Sequence, residues 1–61
     1  MKNKAEIVFE EIINDIMYVF PESSRSTAEH SAVTFIRNPN LLIELGKLVK
    51  NKRINEASKN Y

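Results

Sequence analysis

The sequence has no cysteine and no tryptophan, and only one glycine, two prolines and one histidine among its 61 residues. Each scarcity removes a class of protein. Without cysteine there is no disulfide framework and no thiolate metal site. A single histidine, His30, excludes a multi-histidine centre within one chain. The low glycine and proline content argues against disorder and against a turn-rich β fold. No apolar run approaches the ~20 residues that a membrane-spanning helix needs. Lys2 and Lys4 resemble the basic start of a leader, but Glu10, Glu11 and Asp15 interrupt any apolar stretch behind them. The chain is therefore expected in the cytoplasm, with no membrane partner, no metal and no cofactor.

A chain of 7.1 kDa sits near the lower limit for independent folding. A folded monomer of this mass exposes about 4,100 Å², against about 10,300 Å² when unfolded. With about 60% of the difference apolar, burial contributes on the order of 90 kcal/mol at ~25 cal/mol/Å². Ordering the residues costs on the order of 90 kcal/mol as well. The balance is near zero. With disulfides and a metal excluded, a second chain is the remaining source of stability.

Charge is separated along the chain. The net value is only +1. Residues 1–22 set Lys2 and Lys4 against Glu6, Glu10, Glu11, Asp15 and Glu22, a net of −3. Residues 23–61 set Arg25, Arg37, Lys47, Lys50, Lys52, Arg53 and Lys59 against Glu29, Glu44 and Glu56, a net of +4. Asn, Ile and Lys are plentiful and have AT-rich codons, which points to a low-GC bacterium, a phage or a plasmid as the source.

Three helices are predicted. The first covers about 4–20. Asn3 and Glu6 match a capping box, and Ala5, Val8, Phe9, Ile12, Ile13, Ile16, Val19 and Phe20 share one broad face. Pro21 ends it, because a residue before proline is pushed out of the helical region. The second covers 27–37 behind a capping-box match at Ser26 and Glu29. Ala28, Ala32, Val33, Phe35 and Ile36 form its apolar face, opposite His30, Ser31, Thr34 and Arg37. The third covers 39–56, with Asn38 as cap and Pro39 in the first turn. Its core face is Leu41, Leu42, Leu45, Leu48 and Val49 and stops where Lys52 enters, so the last turns should project past the core. Residues 57–61 should fray. The fold class is all-α: a single domain over 1–61, two long helices bridged by a short one, completed by homodimerisation.

Two seams remain on the polar sides. Ile7, Glu11, Asn14 and Tyr18 align on the first helix, and Ile43, Lys47, Lys50 and Ile54 on the third. Each has apolar ends and a polar middle, acidic on one helix and basic on the other. Scattered exposed apolar residues are normal, but a chain short of buried area gives these seams a use as contact surfaces for itself or a partner helix. Gly46 costs about 1 kcal/mol against Ala inside a helix, and would let the first helix or a second subunit approach closely.

Other chemistries have thinner support. Lys50, Lys52 and Arg53 form a basic cluster suited to phosphate, but cations near a helix C-terminus also offset its dipole. The second and third helices resemble a helix-turn-helix, in which Asn38 and Asn40 would approach bases. Glu44 opposes that reading, and the usual turn glycine is missing. A leucine-rich helix with a basic side also suits a membrane surface, although such a stripe more often faces a core. No P-loop, G-x-S-x-G or His-Glu-x-x-His pattern occurs. His30 is flanked by Glu29 and Ser31, which do not face it on a helix. The expectation is a non-enzymatic protein-interaction module that regulates, inhibits or adapts a larger protein. Its contacts would be Ile7, Glu11, Tyr18, Ile43, Lys47, Lys50 and Ile54. The alternative is a dimeric DNA-binding regulator using Asn38, Asn40, Lys50, Lys52 and Arg53.

Overall fold

A computed structural model describes residues 3–58. They form three helices: α1 over Lys4–Val19, α2 over Arg25–Arg37 and α3 over Pro39–Ser58. Each packs against both others, and no strand occurs among the described residues. None of the helices is long and apolar enough to cross a membrane. The predicted tail falls partly in α3, which stays helical to Ser58; residues 59–61 lie outside the described range.

The boundaries follow from capping and proline chemistry. Asn3 is extended, and its Oδ1 accepts the Glu6 backbone N–H at 2.9 Å, satisfying one of the unpaired donors of the first turn. Phe20, held before Pro21, leaves the helical region at φ −121°, ψ 75°. Its own N–H still donates to the Ile16 carbonyl at 2.8 Å.

The start of α2 differs from expectation. Ser24, not Ser26, is the cap. Its Oγ accepts the Thr27 N–H at 3.2 Å, and the helix opens at Arg25. Ser23, Ser24 and Ser26 are chemically equivalent candidates. The earlier start places Arg25 in the first turn, where its guanidinium reaches Glu10 of α1 at 2.6 Å and Glu29 at 3.2 Å. Glu29 is thus an ion-pair partner of Arg25.

Only Asn38 separates α2 from α3. It is extended, as a residue before proline must be. Its N–H donates to Phe35, and its carbonyl accepts from Leu41 at 2.9 Å. One residue therefore closes one helix and opens the next.

Seven of the described residues are buried: Ile12, Ile13 and Ile16 of α1, Ala28 and Ala32 of α2, and Leu45 and Val49 of α3. Phe9, Met17, Tyr18, Val19, Phe35 and Leu42 pack around them, partly exposed. The expected apolar faces are wider than this core. Val8, Phe20, Val33, Ile36 and Leu48 all remain exposed. The two alanines let α2 lie close to its neighbours, so the core is thin. Each helix buries a central strip and leaves its flanks in water.

Candidate functional site

No deep enclosed site is present among the described residues, and no three His, Cys, Asp or Glu side chains there cluster as a metal site would require. His30 is exposed. The features able to do chemistry are surfaces, and they sort into a clasp, a stripe and a groove.

The clasp joins the C-terminal ends of α1 and α3. Tyr18 donates its phenolic hydrogen to Glu56 Oε2 at 2.7 Å. The Lys52 ammonium lies 4.6 Å from the centre of the Tyr18 ring, within cation–π range. It also donates to the Tyr18 main-chain carbonyl. The last carbonyls of a helix lack intrahelical donors and carry its negative dipole end. Since α1 has no base in its own last turn, Lys52 supplies one from α3. Arg53 approaches the same ring at 5.9 Å. The phenol is held above its ordinary pKa, first by the hydrogen bond to Glu56, then by partial burial and the Glu56 charge, with Arg53 acting the other way.

This arrangement redistributes the first seam. Ile7, Glu11 and Asn14 are exposed, but Tyr18 is half-buried and turned to α3. The cluster proposed for phosphate is divided too. Lys52 is half-buried in the clasp, while Lys50 and Arg53 are exposed. Asn38 and Asn40 are exposed at the start of α3. The single-residue connection before them departs from the three- or four-residue turn of a helix-turn-helix.

The stripe is the second seam, and the structure keeps it together. Ile43 and Ile54 are 57% and 52% exposed. Lys47 and Lys50 lie between them on the face opposite Leu45 and Val49. Lys47 makes a loose pair with Glu44 at 3.5 Å, both side chains well solvated, which contributes little to stability. Gly46 has nothing within 4 Å of the position its Cβ would take. No approach of α1 in this chain requires that glycine.

The groove was not anticipated. It consists of two open cavities that meet at Phe9, between the N-terminal half of α1 and residues 29–36 of α2. Ala5, Phe9, Val33 and Ile36 form its apolar floor, and Glu6, Glu10, Glu29 and His30 its polar edges. Its larger section encloses about 480 Å³ of open space. Arg25 bridges Glu10 and Glu29 at one end, and the hydrogen bond it donates to Glu10 holds that guanidinium's pKa above its ordinary value. Glu6, Glu10 and Glu29 place three carboxylates along the edges, two of them paired with Arg25. The sequence signal was present: Val33 and Ile36 flank the Ala28–Ala32 strip. Reading all four as one buried face concealed that two of them stay outside.

No protein-family model, curated protein or solved structure matches this chain.

Proposed function

We propose that this chain is a small non-enzymatic interaction module that regulates, inhibits or adapts a larger protein by docking an exposed helical face on it. One observation carries the reading. Among the described residues eight large apolar side chains are exposed, against seven buried residues of which two are alanines. Single exposed apolar residues need no explanation, but grouped ones on a small domain mark contact surfaces.

The contact residues in this reading are Ile43, Lys47, Lys50 and Ile54 on α3, with Ile7 and Glu11 on α1. Tyr18 acts indirectly, by holding α3 against α1. The basic stripe would steer the encounter with an acidic surface, and its isoleucines would then be buried in the complex.

The test is capture with tagged chain, with and without nuclease, repeated with Ile43→Asp and Ile54→Asp. A stoichiometric protein that survives nuclease and moderate salt, and that both substitutions release, is the expected outcome. A protein held equally by both variants removes α3 from the reading. Nucleic acid that dissociates steeply with salt, with a log–log slope near −0.9 per phosphate contact, would favour DNA binding through Lys50 and Arg53 instead.

A further inference from the structure

We propose that the α3 stripe of one copy docks in the α1–α2 groove of the next, so that the chain associates head to tail. This rests on the reading above, that the uncovered apolar faces are contact surfaces, and it names a second copy as the occupant of the groove.

The two surfaces match in chemistry. The groove has an apolar floor centred on Phe9 and Ile36 and edges that carry the carboxylates of Glu6, Glu10 and Glu29. The stripe offers Lys47 and Lys50 between two isoleucines that are each more than half exposed. Apolar residues meet apolar residues and ammonium groups meet carboxylates, which favours encounter and fixes register. Gly46, next to Lys47 in sequence and one helical turn before Lys50, is open to solvent and removes a side chain from the flank of the approaching helix.

The partner must be another molecule. The groove is lined by α1 and α2 alone. The stripe lies on the face of α3 turned away from both, because Leu45 and Val49 hold the opposite face in the core. A stripe that cannot reach its own groove can fill only that of another copy. Repeated, this contact closes into a ring, the smallest being a two-fold pair in which each stripe fills the other's groove, or continues as an open series.

Sedimentation of two surface variants tests this. Ile36→Glu places a charge on the groove floor at a position already 45% exposed, and Lys50→Glu reverses the stripe. Val33→Glu is a second groove variant should Ile36→Glu lose its helical circular dichroism. The wild-type weight-average mass is expected to at least double as concentration rises to several hundred micromolar. Each variant alone should remain at the mass of one chain. Mixed in equal amounts they should form a 1:1 pair that grows no further, since only one intact stripe and one intact groove are left. Three results would overturn the proposal: a wild-type chain that stays monomeric, a groove variant that associates like wild type, or a mixture that stays monomeric. A monomeric chain that still captures a larger protein through Ile43 and Ile54 would defeat this inference alone and leave the proposed function standing.

Discussion

The two ends of the bundle use similar residues in opposite ways. At the end where α1 and α3 finish, an aromatic side chain, Tyr18, is surrounded by Lys52, Arg53 and Glu56, and every one of these contacts is internal. At the end where α1 starts and α2 finishes, another aromatic, Phe9, lies among Glu6, Glu10 and Glu29, with Val33 and Ile36 beside it and no residue of α3 among the groove's lining. An aromatic flanked by charges is thus a brace where a third helix reaches it. Where none does, as at Phe9, it stays partly open to solvent.

Substitutions can break or sharpen this contrast. The largest effect is expected at Ile13, fully buried in the core that both ends share. Ile13→Ala should cost about 2–5 kcal/mol, enough to unfold so small a domain, and urea denaturation would show it. A loss under 1 kcal/mol would mean that the ends are held independently. At the braced end, Ser24→Ala should cost about 1 kcal/mol by removing the cap of α2, whereas Ser26→Ala should be near neutral. A larger loss from Ser26→Ala than from Ser24→Ala would restore Ser26 as the cap. Gly46→Ala should raise stability by about 1 kcal/mol, because the new methyl meets only open space. If Gly46 also lies in a chain–chain contact, the same substitution should weaken association while it raises the melting point of the dilute chain. Ile36→Ser, at the open end, should change stability by less than about 0.5 kcal/mol; a larger loss would show that the groove floor belongs to the core.

The smallest effect concerns pH. The Tyr18 phenol is raised in the folded chain, so its stabilisation is fully present below the unfolded pKa and is lost as pH rises through the folded one. Above that point the phenolate faces the Glu56 carboxylate and can no longer donate. Ultraviolet titration should show a tyrosine ionising above the ordinary range, and Tyr18→Phe should remove it. A single unshifted transition in the wild-type chain would mean that the clasp is open in solution.

Much of the fold is legible in the residues. Pro21 and Pro39 bound the helices because proline restricts the residue before it. Asn3 marks the first cap. The i, i+3, i+4 spacing of Ile12, Ile13 and Ile16 marks the buried strip of α1. The stripe on α3 is legible for the same reason: periodicity places Ile43, Lys47, Lys50 and Ile54 on one line, and that line is exposed whichever neighbours α3 has.

What the tertiary structure alone decided is which competent groups were used. Ser24 and Ser26 cap a helix equally well in isolation; in the folded chain Ser24 is the cap and Arg25 behind it reaches Glu10. Tyr18 aligned with Ile7 and Glu11 on a helical wheel, but a wheel carries no information about a neighbour 34 or 38 residues away, where Lys52 and Glu56 lie. The groove shows the same limit. Hydrophobicity established that Phe9, Val33 and Ile36 prefer burial. How much of that preference was met depended on how closely the Ala28–Ala32 strip drew α2 inward, and packing distance is a property of pairs of helices rather than of any one segment.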